Sequence, residues 1–251
     1  MSGVILALQF LTIFPVKAKK ATAKDLAGSL IYFPVVGLLI AIALLVLNSF
    51  LRAFNLDGFA LNTVLVVSLT ALNGGLHLDG LSDTFDGLLS AKSRQEKLQI
   101  MRDPHIGAMG VISIVCIMLL KIAFLTAVSQ SLKPVAIVLM CVISRWSMVY
   151  SIFSFSYARP DGKAKIFIDN INKTIFVSAT AVGVVFVYAA WQVNGLLVLA
   201  ITAGLANLFS NFVTRKIGGI TGDTLGALNE LSEVFILLII CIMERSYLWK
   251  I

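Results

Sequence analysis

Seven stretches of about 20 residues in this chain are almost wholly apolar, the length at which a helix crosses roughly 30 Å of hydrocarbon. They run near 29–53, 59–78, 109–130, 135–155, 174–192, 195–213 and 225–243. Only 13% of the 251 residues are charged and 59% are hydrophobic, whereas a soluble domain carries about 25% charged residues, which excludes folding in water. Asn207, Asn211, Asn229, Glu230 and Glu233 lie in or beside the sixth and seventh stretches, so the expected range is six to eight spans. The fold class expected is all-α: a polytopic integral membrane helix bundle of about seven spans plus an N-terminal interfacial helix. Residues 1–251 carry no low-complexity segment, repeat or long linker and are expected to form one membrane-embedded catalytic domain. The opening segment GVILALQFLTIFP is too short to span, ends at Pro15 and precedes no small-residue cleavage site. It reads as an interfacial or re-entrant helix rather than a signal peptide.

The net charge of +7 would suit a nucleic-acid partner, but its distribution points to membrane topology and to no nucleic acid. Lys17, Lys19, Lys20 and Lys24 precede the first span; Lys92, Arg94, Lys97 and Arg102 follow the second. Arg159, Lys163, Lys165 and Lys173 follow the fourth, and Arg215 and Lys216 follow the sixth. Arg52, Lys133, Arg245 and Lys250 are left for the other face. By the positive-inside rule the rich face is cytoplasmic. Lys121 and Arg145 fall within spans, where they are expected to snorkel or to pair inside the bundle. Cys116, Cys141 and Cys241 are dispersed in apolar segments without metal-ligand spacing and read as packing residues.

Against this background, HLDGLSDTFDG, His77 to Gly87, concentrates three aspartates on the basic face. If the second span continues as a helix past His77, Asp79, Asp83 and Asp86 fall at i, i+4 and i+7, within an arc of about 60°. Leu81, Phe85, Leu88 and Leu89 share the opposite face. Carboxylates about 6 Å apart repel by roughly 3 kcal/mol per adjacent pair at an effective dielectric near 20. Relief comes from protonation, from neighbouring Lys or Arg, or from a divalent cation; oxygen ligands without cysteine suit Mg²⁺, with Mn²⁺ as an alternative. A merely solvated acidic helix would intersperse lysine at i+4, and none occurs before Lys92. Gly80 and Gly87 predict either close approach of a ligand or neighbouring helix, or a helix break at Gly87.

Downstream, QIMRDPHIGAMG sets Arg102, Asp103 and His105 around Pro104, with Gly107 and Gly110 opening the third span. Arginine's planar fork suits phosphate oxygens, and its alternative role is an anchor at the membrane interface. His77 and His105 are candidates to bind phosphate or metal, or to make structural hydrogen bonds. In RKIGGITGDTLGALNELSE, Arg215 to Glu233, Gly218, Gly219 and Gly222 form a turn able to point N–H groups at phosphate. Asp223 follows as a first-turn acid of the last span, sharing a helical face with Glu230, and Asn229 lies one step round. The expected catalytic residues are Asp79, Asp83, Asp86 and Arg102, the same three aspartates being the expected metal ligands. The expected substrate-binding residues are His77, Asp103, His105, Gly222, Asp223, Asn229 and Glu230. Metal-binding carboxylates with an arginine and a glycine turn are the equipment of phosphoryl transfer.

HLDGLSDTFDGLLS, RDPHIGAMG and TGDTLGALNELSE, together with the SLIYFPVVG entry to the first span, resemble the cobalamin synthase family, the adenosylcobinamide-GDP ribazoletransferases. The blocks occur in the family's order and cover nearly the whole chain. The resemblance implies transfer of the cobinamide phosphate of adenosylcobinamide-GDP to α-ribazole or its 5′-phosphate, giving adenosylcobalamin or its 5′-phosphate plus GMP. It also implies Mg²⁺ as cofactor and a multi-pass enzyme of the prokaryotic cytoplasmic (inner) membrane with its active site facing the cytoplasm. Membrane lipid is a further expected partner, and a homo-oligomer is open. The expected nucleophile is a ribazole 5′ oxygen: the ionised 5′-phosphate, which needs no base, or a free hydroxyl served by one of the three aspartates.

Two rival readings stand beside this one, the nearer related in chemistry and the other of a different class. DTFDGLLS, Asp83 to Ser90, partly mimics the D-x-x-D-G-x-x-A-R opening of CDP-alcohol phosphotransferases, which are lipid enzymes. Ser90 and Ala91 replace the Ala-Arg pair, and the spaced downstream aspartates are absent. A secondary transporter would explain charges within spans, but transport sites lie near mid-membrane whereas these acids gather at one surface.

Overall fold

The computed structural model describes residues 3–14 and 21–248, so Pro15, Lys17, Lys19, Lys20 and Lys250 lie outside the described residues. Where it is described the chain is built of helices, without a strand; a single parallel bridge joins Tyr157 to Ile220. A helix satisfies every interior backbone N–H and C=O within itself, as apolar surroundings demand. The order is α1 (Gly3–Leu11), α2 (Ala23–Ser29), a 3₁₀ turn (Leu30–Tyr32) and α3 (Phe33–Ala53), then α4 (Gly58–Leu72), α5 (Leu76–Leu89), α6 (Arg94–Ile100) and α7 (Ala108–Ala127). There follow α8 (Lys133–Ser154), α9 (Lys165–Asn170), α10 (Lys173–Ile217) and α11 (Gly222–Leu248).

Five helical segments are each long and apolar enough to cross a membrane: Ala23–Ala53, Ala108–Ala127, Lys133–Ser154, Lys173–Ile217 and Gly222–Arg245. The polytopic helical bundle expected from the apolar runs is therefore the fold. α10 matches two of those runs, because its helical path is interrupted at Trp191 and Gln192, where Gln192 takes φ +47°. A Cβ on Gly195 would lie 2.5 Å from the Val187 carbonyl oxygen, so the two arms fold back on each other with glycine at their closest approach.

The second apolar run departs from expectation. Rather than continuing past His77, α4 stops at Leu72, and α5 leaves it at 88°. Asn73-Gly74-Gly75 makes the corner, with φ of +61° and +70° at the two glycines. Side chains with a Cβ resist that left-handed region, so consecutive glycines are what allow so sharp a turn. α5 consequently lies across the end of the bundle.

Around that end gather the 90–107 and 155–172 connections, the 218–221 turn and the C-terminal end of α1, where the Ile13 amide donates to the Leu72 carbonyl at 3.0 Å. The opposite end is tied by Arg52 to Gln130, by Lys133 to Asn62 at 3.1 Å and by the Ser129 amide to Glu244 at 3.2 Å. α8 is the axis: 83% of its apolar window is buried, against 22% for α10, which faces outward. A helix buried on all sides must offer small contacts to its neighbours. Gly37 of α3 meets the Cys141–Val142 backbone of α8, where any side chain would overlap it. Val185, Val193 and Leu208 of α10, with Val115 and Leu119 of α7, form part of the apolar outer surface. α1 is tucked in, its Phe10 ring 4.7 Å from Phe167 and 5.9 Å from Phe33.

Candidate active site

α5 carries the aspartates, and its neighbours set its position on every side. Gly80 faces the start of α11: a Cβ there would be 2.7 Å from the Asp223 carbonyl oxygen, and one on Gly226 would be 3.2 Å from the His77 Cα. Gly87 faces Met101 in the same way. Both glycines of the motif thus serve close helix approach, and the helix continues through them to Leu89. Its C-terminal carbonyls are capped by Lys97, whose Nζ reaches Gly87 and Leu88 oxygens at 3.5 Å and the Ser90 carbonyl. This lysine is buried, held by the partial negative charge of a helix end.

Asp86 points away from the other two aspartates' cavities and toward α7. Its Oδ2 accepts from the Gly107 amide and its Oδ1 from the Gly110 amide, both at 2.8 Å. The free N–H groups at a helix start are thereby satisfied by a carboxylate from another helix. A side chain at Gly107 or Gly110 would occupy the volume of that carboxylate.

Asp79 is exposed and Asp83 partly buried. Burial, and after it repulsion from the carboxylates of Asp79, Asp223 and Asp86, pushes the Asp83 carboxyl up to about 7 against the opposing pull of Arg159. Arg159 arrives on the 155–164 loop, which is docked by the Ala158 amide to the Ile220 carbonyl at 2.9 Å and the Ile220 amide to the Ser156 carbonyl at 2.8 Å. Its Nη2 lies 2.8 Å from Asp223 Oδ2, to which the Thr221 hydroxyl also donates at 3.4 Å. Both contacts fall on one oxygen, and Asp223 lines the larger of two cavities at this surface. Arg102 is exposed and paired with Asp161, Nη2 to Oδ1 2.5 Å. The Asp103 carboxylate accepts from the His105 amide at 2.9 Å and contacts its ring at 2.6 Å, which holds its carboxyl below the usual range. Burial pushes the Tyr157 phenol above its ordinary pKa.

Two cavities meet at this surface. The first, of about 520 Å³, is lined by Phe10, His77, Asp79, Arg102, Tyr157, Arg159, Lys163, Gly222 and Asp223 among others. The second, of about 430 Å³, is lined by Asp79, Ser82, Asp83, Arg102, Asp103 and His105 with apolar neighbours. Asp79 and Arg102 belong to both.

The structure therefore brings together Asp79, Asp83, Arg102, Asp103, His105, His77, Gly222 and Asp223. It does not bring Asn229 or Glu230 to either cavity. Glu230 meets Lys121 at 2.6 Å; Glu233 meets Lys121 and, at 2.5 Å, Arg145; Asn229 donates to Glu233 at 3.0 Å. All are buried. Two cations against two carboxylates make this cluster neutral, the condition under which charges persist in apolar surroundings. Tyr157, Arg159, Asp161 and Lys163 were not among the expected site residues. Their signal is legible as YARPDGK, an aromatic and two cations around a Pro-Asp-Gly turn, but Arg159 and Lys163 fit the charge bias of membrane topology equally well.

For a divalent cation the donor chemistry fits: Asp79 and Asp83 offer hard oxygens one turn apart at the second cavity. Among the described residues no group of three or more His, Cys, Asp or Glu side chains converges into a cage. Mg²⁺ is commonly held by one or two carboxylates plus substrate phosphates and water, so a set of this kind suits an ion that arrives with a diphosphate.

A family model described as cobalamin-5-phosphate synthase matches residues 3–241. A relative from Desulforamulus reducens, named adenosylcobinamide-GDP ribazoletransferase, is 36% identical over 244 residues, covering 97% of this chain and 98% of the relative. Relatives of the same name from Roseiflexus sp. and Fusobacterium nucleatum are 38% and 35% identical, covering 91% and 96% of this chain and 85% and 98% of their own lengths. No solved structure matches the chain.

Proposed function

The chain belongs to the cobalamin-5-phosphate synthase family, and from that premise we propose that it is an adenosylcobinamide-GDP ribazoletransferase working at the two joined cavities. It joins the cobinamide phosphate of adenosylcobinamide-GDP to α-ribazole or its 5′-phosphate and releases GMP, the last assembly step of cobalamin. The observation that carries the site assignment is the sharing of Asp79 and Arg102 by both cavities, a junction where a diphosphate can meet an acceptor.

Atom balance corrects the expected nucleophile. A product described as cobalamin 5-phosphate keeps the acceptor's 5′-phosphate, so the attacking oxygen is a ribose hydroxyl other than the 5′. That hydroxyl forms a bond to the cobinamide-side phosphorus, the bridging P–O bond breaks, and GMP leaves with the bridging oxygen. The hydroxyl proton needs an acceptor whichever substrate is used. We assign that role to the Asp223 carboxylate, which Arg159 and Thr221 hold through Oδ2 at the cavity wall. Arg102 would bind phosphate oxygens through its planar fork, trading its exposed contact with Asp161.

Asp79 and Asp83, one turn apart, would hold Mg²⁺, with Mn²⁺ as a substitute. Asp86 is engaged in holding α7 and acts by positioning the other two. The ion would neutralise diphosphate oxygens and ease departure of GMP.

The chain is a multi-pass membrane protein, and we place it in the prokaryotic cytoplasmic membrane with the site facing the cytoplasm. Lys92, Arg94, Arg102, Arg159, Lys163, Lys165, Arg215 and Lys216 surround the site end, against Arg52, Lys133 and Arg245 at the other, which supports that orientation. Lipid would meet the outer faces of α7 and α10. The transporter reading loses its motive, because Lys121 and Arg145 are neutralised by Glu230 and Glu233. The family match leaves no role for the CDP-alcohol phosphotransferase reading.

Purified protein with Mg²⁺, adenosylcobinamide-GDP and α-ribazole is expected to yield GMP and a cobalamin in equal amounts. No product, with intact protein and an active control enzyme, would overturn the reading.

A further inference from the structure

The two cavities differ in charge although they share two residues. The first sets three cations, Arg102, Arg159 and Lys163, against two carboxylates, Asp79 and Asp223. The second sets Arg102 and His105, whose ring contacts Asp103, against Asp79, Asp83 and Asp103. A phosphate not carried on a metal ion is attracted to the first and repelled by the second.

The first cavity also has apolar lining, Phe10, Met148 and Leu225 among it, beside its charged residues. An aromatic base lacking the hydrogen-bonding edge of guanine would be matched there, with its ribose turned toward Asp79 and Asp223. Arg159 adds a fixed cation at the wall of this cavity: its side chain is 9% exposed and its Nη2 holds Asp223 at 2.8 Å.

We propose that the first cavity is the acceptor subsite and that Lys163 and Arg159 bind the 5′-phosphate of α-ribazole 5′-phosphate there. The inference rests on the proposed reaction. In it the phosphate is a handle that stays on the product, held apart from the reacting hydroxyl. Asp223 couples the two, because the guanidinium that fixes its Oδ2 also faces the phosphate.

The test compares kcat/KM for α-ribazole 5′-phosphate and for α-ribazole in the full-length wild type, Lys163→Ala and Lys163→Arg. Loss of one charge-assisted contact is expected to lower the ratio of the two values by about tenfold to a hundredfold in Lys163→Ala, with the ratio largely restored in Lys163→Arg. Calorimetric binding of α-ribazole 5′-phosphate without the nucleotide donor is expected to weaken by a similar factor in Lys163→Ala. An unchanged ratio, an equal loss for both acceptors, or a rise confined to the KM for adenosylcobinamide-GDP would overturn the assignment. Failure of the underlying reaction shows differently: the wild type would release GMP with neither acceptor, while the binding measurement would still report on Lys163.

Discussion

Arg159 reaches Asp223 at 2.8 Å, joining the 155–164 loop to the first turn of α11 at the wall of the larger cavity. Neither residue is near the other in sequence, and the pairing exists because the loop is strapped to Ile220 by two backbone hydrogen bonds. Asp223→Asn keeps the shape and part of the hydrogen bonding but offers no base. Turnover is expected to fall by about 10²- to 10⁴-fold, the usual contribution of a general base, with little change in the Mg²⁺ concentration giving half-maximal activity. GMP release measured across a Mg²⁺ titration checks both statements.

Asp83→Asn should behave differently. Removing one of the two carboxylates proposed to hold the ion is expected to abolish measurable turnover and shift the Mg²⁺ requirement upward, while the protein still inserts and extracts normally. A variant with wild-type kinetics would remove Asp83 from the mechanism.

Asp86→Asn tests the separation of roles within the motif. An amide has one acceptor oxygen where the carboxylate used two, so one of the Gly107 and Gly110 amides loses its partner. The expected cost is about 1–3 kcal/mol of stability, seen as a lower melting temperature in detergent. Activity should persist at a reduced level, in contrast to Asp83→Asn at the same pH and Mg²⁺.

At Gly80 the smallest side chain is too large. With a Cβ placed 2.7 Å from the Asp223 carbonyl oxygen, Gly80→Ala must push α5 from α11, typically a penalty of about 1–3 kcal/mol. Because that contact also sets Asp79 opposite Asp223, kcat is expected to drop along with stability; a fully active, fully stable variant would contradict the close approach.

The buried cluster gives a prediction about folding alone. Glu233→Gln leaves Lys121 and Arg145 facing Glu230 with one carboxylate between them, and an uncompensated buried charge costs about 3–5 kcal/mol. The yield of folded protein after detergent extraction should collapse. Pairing the change with Arg145→Gln is expected to recover part of it, since the cluster is neutral again.

The apolar runs determined the bundle, because a 20-residue stretch without water-seeking groups has few other ways to satisfy its backbone. Charge distribution marked one end as special, and the i, i+4, i+7 spacing put three aspartates on one face of a helix. Spacing along a helix, however, says nothing about what stands opposite each side chain. The Asn73-Gly74-Gly75 corner, visible as letters but outweighed by the apolar run around it, turned α5 across the bundle end. Only then did Asp86 meet the start of α7 while Asp79 and Asp83 met open cavities. Glu230 shares a helical face with Asp223 in sequence, but depth separates them: one sits at the rim, the other among Lys121, Glu233 and Arg145 in the interior. Arg159 and Lys163 looked like topology charges until the loop that carries them folded over α11. Those assignments depend on contacts between segments tens of residues apart, whose mutual placement is decided by how the glycine-lined helices pack.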